Sequence, residues 1–433
     1  MLPGRCYIGI DLGTSGVRAV LTDARDEIVA QVQKPLPAPD RQGNTVRQDP
    51  RLWWEAVDQL LLSLREEAAL ETVVALCVDG TSGTILLCDE DGEPVAPARM
   101  YNDQGAVAAG ARIDRIAPPD SMARGTGGAL ARLLALLDEV GPSEAAYALH
   151  QADWIAAKLT GVLGASDFNN CLKLGFNLIE TKWPSWLAHL DFDASILPRV
   201  APPGLPLGPL SAEVAARYGL PADCLVVHGT TDGNAAFLAA GSFEPGTAVT
   251  SLGSTLTIKL VSKDPVFAPA YGVYSHRLLG HWLAGGASNS GGAAIAAHFA
   301  AEEIERLTPA LKPEVSTGLD YYPLPAPGER FPVADPQMAP RLTPRPADAA
   351  IFLQGLLEGI AGIEKAAFER LAALGATPVS RVLTVGGGAR NPAWTRIRAR
   401  TLGVPVTVAA NTEAAYGSAR LARLGYEGRT GAT

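Results

Sequence analysis

Cysteine is scarce in this chain and thinly spread. The five cysteines, Cys6, Cys77, Cys88, Cys171 and Cys224, are odd in number and show no CxxC spacing. They read as reduced, buried small hydrophobes rather than as staples or metal ligands. The six histidines are equally dispersed, which argues against a zinc site. Positive charge is in deficit: 36 lysines and arginines stand against 45 aspartates and glutamates, for a net charge of −9. That balance argues against nucleic acid and anionic membranes as main partners, but not against ATP, which arrives with magnesium and meets local N–H groups. No apolar run reaches the roughly 18 residues of a membrane span. Residues 1–6 are too few for a signal or transit peptide ahead of the first strand. The expectation is a soluble cytoplasmic protein, with a plastid location if a transit peptide has been removed. No oligomer is implied.

Familiar nucleotide motifs are missing as well. The sequence has no GxxxxGK[ST] loop, no kinase glycine loop with HRD and DFG, and no GxGxxG followed by an acid about 20 residues later. What it has instead begins at Gly9-Ile10-Asp11-Leu12-Gly13-Thr14-Ser15-Gly16. An apolar run ends in one acid, passes through a glycine-hydroxyl turn and is followed by a second apolar run. This pattern predicts a hairpin with its carboxylate at the strand end and its backbone N–H groups free in the turn. Such a turn can cradle phosphate oxygens, and the acid can hold the accompanying metal. Alternatively, Asp11 ends a strand and bonds the turn. A second copy, Ser251-Leu252-Gly253-Ser254-Thr255, has no acid, as expected if two halves grip one nucleotide and one metal.

At 433 residues, with 47% hydrophobic and 19% charged residues, the chain predicts two globular α/β domains. Strands are expected at residues 7–11, 17–22, 27–32, 73–78 and 84–88, and helices at 50–67, 128–137, 144–159 and 212–218. A short strand at 224–229, a Gly-Thr-Thr turn and a helix opened by Asp232 close the first half. The second half repeats the plan from about residue 240. It has strands at 271–276, 282–284 and 381–385, a helix from Ser290 and a long helix over 348–374. Two related halves facing each other make the cleft between them the expected ligand site.

Four further constellations carry chemistry. Asp232, in Gly229-Thr230-Thr231-Asp232-Gly233-Asn234, is either an N-cap or a carboxylate kept ionised by the helix end to accept a substrate proton. Gly386-Gly387-Gly388 lets backbone approach a flat ligand such as adenine, and Asn391 before Pro392 is an N-cap signal. Trp394 packs either on that base or in the core. On the acceptor side, Asp79-Gly80-Thr81-Ser82-Gly83-Thr84 and Tyr101-Asn102-Asp103-Gln104 offer short polar groups at strand ends that either bond polyol hydroxyls or close turns. The run 285–292, containing Gly291, is a further glycine-hydroxyl turn leading into a helix, near the nucleotide or the cleft floor.

With these residues in view, the sequence resembles the FGGY carbohydrate kinases, of the superfamily of actin, hexokinase and the heat-shock chaperone ATPases. Within that family it looks like the short branch of D-ribulose kinases of cyanobacteria and plants, whose plant members are called xylulose kinase-like. Matching stretches include DGTSGT (79–84), QADW (151–154), NNCLKLGFN (169–177), GTTDGNAAFLAAG (229–241), TSLGSTLTIKL (250–260), GGASNSGG (285–292) and NTEAAYGSARLA (411–422).

The resemblance implies two ribonuclease-H-like α/β domains facing across a deep cleft. The sugar and metal side spans 1–239, with 413–433 packing back onto it, and the nucleotide side spans 240–412. It implies transfer of phosphate from ATP, with Mg²⁺, to the terminal hydroxyl of a pentulose, D-ribulose first. Asp11 (directly or through water) and Thr14 would hold metal and phosphate, and Asp232 would be the base. Ser82, with Asp11, Asp232, Tyr101 and Asn102, would meet the sugar. Gly13, Thr14, Ser15, Gly253, Ser254, Thr255, Gly291, Gly387, Gly388, Asn391 and Trp394 would meet ATP.

The chain departs from the family pattern in three ways. It lacks the extensions of longer members. The wider Trp-x-Asp-x-Arg sugar motif is replaced around Tyr101–Gln104. Arg132 stands where the first family signature has lysine. A kinase for D-xylulose or a pentitol, a non-catalytic nucleotide-binding regulator and an actin- or chaperone-like ATPase are the alternatives.

Overall fold

A computed structural model describes residues 4–241 and 243–430. Residues 1–3 and 431–433, at the ends of the expected first-domain ranges, and Ser242 lie outside the described residues. The chain forms two compact units: one runs to residue 239 and regains the chain at 411, the other holds 240–410.

The first unit is built on β1 (Cys6–Leu12), β2 (Gly16–Asp23), β3 (Ile28–Pro35), β4 (Val73–Gly80), β5 (Pro206–Pro209) and β6 (Leu225–Thr231). Their order in the sheet is β5-β6-β4-β1-β2-β3. β1, β4 and β6 run parallel, while β1-β2 and β2-β3 are antiparallel hairpin pairs. All seven residues of β1 are buried, as in a strand covered on both faces. Ile8, Ile10 and Leu12 share a core with Trp53, Leu60 and Leu64 of the helix Pro50–Glu67. That helix starts where Asp49 accepts from the Arg51 N–H at 3.0 Å and Pro50 occupies the first turn.

The alternate residues Tyr7, Gly9 and Asp11 point to the other face, covered by the helix Ala414–Thr430. A Cβ on Gly9 would stand 1.9 Å from the Ala415 carbonyl oxygen and 2.2 Å from the Ala419 nitrogen. Gly9→Ala is therefore expected to lower unfolding stability by about 1–3 kcal/mol, because backbone cannot yield as a side-chain tip can. Urea denaturation checks this, and an unchanged midpoint would refute the close approach. Asp26 anchors the same helix, accepting from Arg423 at 2.7 and 2.9 Å.

The second unit repeats the plan with β7 (Thr247–Leu252), β8 (Leu256–Ser262), β9 (Tyr274–Leu278), β10 (His281–Ser288), β11 (Arg381–Val385) and β12 (Val406–Val408). The order is β9-β10-β8-β7-β11-β12. Each sheet thus carries three antiparallel strands followed by two parallel ones, β3-β2-β1-β4-β6 in one and β10-β8-β7-β11-β12 in the other. The duplicated hairpin-turn pattern lies on equivalent strands.

The expected helix over 144–159 is corrected. The structure has a single turn at Pro142–Glu144, a strand at Tyr147–His150 and a helix at Gln151–Thr160. Residues 147–150 pair with Ile85–Cys88 in a separate small sheet, a non-local partner that helical spacing cannot reveal. The expected turn at Thr230-Thr231 is also strand, with Thr230 opposite Asp79 and Thr231 opposite Gly80. The helix expected from Ser290 is a short one, Gly292–Ala296.

Candidate active site

Parallel strands deliver their C-terminal ends to one edge, and here that edge is acidic. Asp11 and Asp79 stand directly opposite each other on β1 and β4, and Asp79 faces Thr230 on β6. Two residues later Asp232 opens the helix Asp232–Ala240. Its Oδ1 accepts from the Gly233 N–H at 2.6 Å, so the acid occupies the helix start itself. Burial raises the pKa of Asp11, and the nearby Asp232 adds to the rise. Asp79 is pushed up much further, by complete burial and then by Asp11.

Of this pair Asp79 is the one that burial pushes further toward the neutral form. Its Oδ2 accepts from Ser418 Oγ at 2.5 Å, and its carboxyl interacts with that of Asp11, which lowers the pKa of Asp11 and raises its own. Asp11 retains 8% exposure. Arg18 stands 3.9 Å from its Oδ2 and 3.3 Å from Glu413. Mg²⁺ takes one or two carboxylates and fills its shell with water and phosphate oxygens. Asp11, buried except for that 8% at the strand end, supplies one such carboxylate. No group of three or more ligating side chains among the described residues forms a dedicated cage.

The turn after β1 is tighter than the sequence suggested. Gly13 N–H donates to the Gly16 carbonyl at 3.0 Å, which corrects the expectation that all its N–H groups are free. Those of Thr14 and Ser15 donate to no described residue, and both side chains reach solvent. In the second hairpin the N–H groups of Gly253, Ser254 and Thr255 are likewise without acceptors. Their carbonyls are held instead: Gly292 N–H donates to Gly253 at 2.8 Å and Ala293 N–H to Ser254 at 3.0 Å. Gly291, with φ +138°, makes this possible, since a Cβ there would lie 2.7 Å from the Thr255 carbonyl carbon. The run 285–292 therefore braces the hairpin turn, and the result is a set of donors aimed away from the protein.

Beside that turn, Gly386 and Gly387 are exposed, and a Cβ on Gly388 would meet Leu252 Cβ and Trp394 Cζ3, both at 2.6 Å. Trp394 is only 3% exposed and belongs to the core of the second unit. This corrects its assignment as an adenosine contact: the ring supports the glycine turn from beneath. The Asn391 side chain is also committed, accepting from Trp394 N–H at 3.1 Å and donating to Thr308 Oγ1 at 3.1 Å. Only the surface it leaves open remains for a ligand.

On the first unit, Ser82 is half-buried and its hydroxyl makes no hydrogen bond among the described residues. Its neighbours are fixed, with Thr81 Oγ1 lying 2.6 Å from Thr84 Oγ1 and 2.8 Å from Gln151 Oε1. Tyr101 is 42% exposed, and the half-buried Asn102 has an unpartnered Oδ1. Asp103 is committed to the scaffold, accepting from Val46 N–H at 2.8 Å and pairing with Arg99 at 3.0 Å.

Arg132, the departure from the family signature, is fully buried. Its guanidinium donates to the carbonyls of Gly83 at 2.9 Å, Tyr101 at 2.5 Å, and Asp103 and Gly127 at 3.2 Å. A planar fork of five donors reaches all four oxygens, which an ammonium does not. Burial draws its pKa down to about 10. Sequence reasoning gave no part to Arg132, to Ser418, or to Asp79 as an acid. Asp79 had a usable signal, since it ends an apolar strand as Asp11 does.

Comparison with known proteins bears on this arrangement. The N-terminal domain of the FGGY family of carbohydrate kinases matches residues 6–239, and the C-terminal domain matches 248–426. A xylulose kinase of Streptomyces coelicolor is 31% identical over 94% of this chain and 84% of its own length. A xylulose kinase of Escherichia coli is 26% identical over 96% of this chain and 90% of its own. Among solved structures, a xyloylose kinase from Brucella ovis superposes with a TM-score of 0.86 at 23% identity, covering 98% of this chain and 91% of that one. No helix among the described residues is long and apolar enough to cross a membrane. With both domain models matched in order, the chain belongs to the FGGY family of carbohydrate kinases.

Proposed function

We propose that this chain transfers the γ-phosphoryl group of ATP to the terminal hydroxyl of a pentulose, D-ribulose giving D-ribulose 5-phosphate, with Asp232 as general base. The observation that carries the reading is the acidic strand edge of the first unit, where Asp232 stands with Asp11 and Asp79. Phosphoryl transfer asks little covalent chemistry of a protein; it asks for donors on the phosphates and a placed acceptor. The N–H groups of Thr14, Ser15, Gly253, Ser254 and Thr255 suit phosphate oxygens, and Gly387 and Gly388 offer the adenosine a flat approach. Ser82, Tyr101 and Asn102 suit the sugar hydroxyls, their loops tied together by Arg132.

Asp11, directly or through water, would hold Mg²⁺, which when bound neutralises the β- and γ-phosphates. Asp79, pushed toward the neutral form by burial, hydrogen-bonds Asp11 and so favours the Asp11 carboxylate. Asp232, at a helix start whose dipole favours a carboxylate, accepts the hydroxyl proton late, as a loose transition state requires.

D-Xylulose is the second reading, favoured by the names of the relatives above. D-Ribulose rests on the branch-like stretches, such as NNCLKLGFN, and on the altered residues 101–104. ADP release measured with D-ribulose, D-xylulose, pentitols, gluconate and glycerol separates the readings. The expected result is a kcat/KM at least about tenfold higher for D-ribulose, the discrimination that one misplaced polar contact gives. A preference for D-xylulose would replace the substrate, and no turnover with any sugar would remove the kinase reading.

A further inference from the structure

Lys173 lies in the turn Leu172–Leu174, after the short helix Phe168–Cys171. Leu172 and Leu174 on either side of it are buried, so the turn is anchored and Lys173 is presented from its other side. The lysine is only partly exposed, and its stem packs against the loop that carries Ser82. A Cβ on Gly83 would lie 3.7 Å from Lys173 Cδ and 3.0 Å from Arg132 Nη1, with Gly83 itself at φ +91°. Glycine is needed there for its positive φ and for the close Arg132 Nη1, while Lys173 Cδ lies at ordinary contact distance.

The two cations fare differently. Arg132 spends its donors on four carbonyls. The Lys173 ammonium makes no hydrogen bond and no salt bridge within 4.0 Å to any described residue. It feels repulsion from Arg132 and attraction from Asp232, and burial draws its pKa down. A partly desolvated ammonium beside a second cation is costly unless its donors find oxygens. The residue before Gly83, Ser82, and the carboxylate that attracts Lys173, Asp232, are both assigned above to the acceptor.

We propose that Lys173 is a substrate-binding residue, whose ammonium donates to an oxygen of the acceptor sugar beside the hydroxyl that Asp232 deprotonates. The assignment rests on the function proposed above and narrows its substrate class to a neutral polyhydroxy ketose. Asp232 answers the charge of Lys173 while leaving its three donors unmet, and Asp11 adds negative charge nearby. A carboxylated sugar would meet those acids, whereas hydroxyl and carbonyl oxygens meet only the donors.

The test uses the full chain with Lys173→Met and Lys173→Arg. For Lys173→Met the expected result is an increase of about 10- to 100-fold in sugar KM, the loss of one hydrogen bond from a charged donor. The ATP KM and the melting temperature should stay as in the wild type, and Lys173→Arg should recover part of the loss. Deoxy analogues locate the contact: the analogue lacking the contacted hydroxyl should be poor for the wild type and lose nothing further in Lys173→Met. An unchanged sugar KM overturns the assignment. So does a parallel loss of sugar and ATP use with a lowered melting temperature, which would mark a packing role. Wild-type preference for gluconate over ketoses overturns it too. If the wild type phosphorylates no sugar, the proposed function fails with it; if it does and Lys173→Met matches it, only the Lys173 assignment fails.

Discussion

Replacing Asp232 with asparagine is expected to lower kcat by about 10²–10⁴, the range a positioned general base contributes. Asparagine keeps the volume and an acceptor oxygen for the Gly233 N–H, which now holds Oδ1 at 2.6 Å, so the helix start survives. What disappears is the ability to take the hydroxyl proton. The ATP KM and the unfolding midpoint should therefore change little. Single-turnover measurements would place the loss in chemistry rather than in product release. A variant that keeps the wild-type kcat would return Asp232 to the role of a helix-start residue. Loss of ATP binding along with turnover would show that the acid acts on the nucleotide side instead.

The second large effect falls on stability. Arg398 and Glu364 are both fully buried, bonded in a fork at 2.6 and 2.6 Å. Arg398 also donates to Thr384 Oγ1 at 2.5 Å, and Thr250 Oγ1 donates to Glu364 at 2.6 Å. This cluster ties β7 and β11 to the helices Ala349–Ala373 and Pro392–Leu402, under the strands that end in the hairpin turn and the glycine turn. Arg398→Met strands the Glu364 carboxylate in the core and is expected to cost about 3–5 kcal/mol. The double replacement Arg398→Met with Glu364→Leu should recover most of that, since the pair exchanged for apolar groups leaves no orphan. Urea denaturation of the single and double variants measures both. A single-variant loss below about 1 kcal/mol would mean that water or a neighbour satisfies Glu364, contrary to the closed network seen here.

Helix Pro50–Glu67 shows what local signals can carry. Its cap at Asp49, its leading proline and its apolar stripe from Trp53 to Leu64 lie within one stretch of chain, and the structure has the helix at those bounds. The hairpins around Gly13 and Gly253 were legible for the same reason, as alternating apolar runs broken by glycine and hydroxyl residues. Residues 147–150 show the limit. Their strand exists because Ile85–Cys88 lies alongside, and no periodicity within the segment records a partner some sixty residues away. Trp394 shows another limit: spacing on a helix cannot say whether a ring faces a ligand or the core, because that depends on Leu252 and Gly388 packing against it.

The sequence by itself determined the repeated acid-turn-strand hairpin, the two-unit α/β plan and the residue types able to meet phosphate, metal and hydroxyl groups, since each is written in neighbouring residues. Tertiary structure alone decided which distant groups share a site. Parallel register sets Asp79 beside Asp11, the returning helix brings Ser418 to Asp79, and Gly83 admits Arg132 and Lys173 to one place. The physical reason is that burial and charge act through space, so a carboxyl pushed toward its neutral form or an ammonium left without an acceptor is defined only by what folds against it.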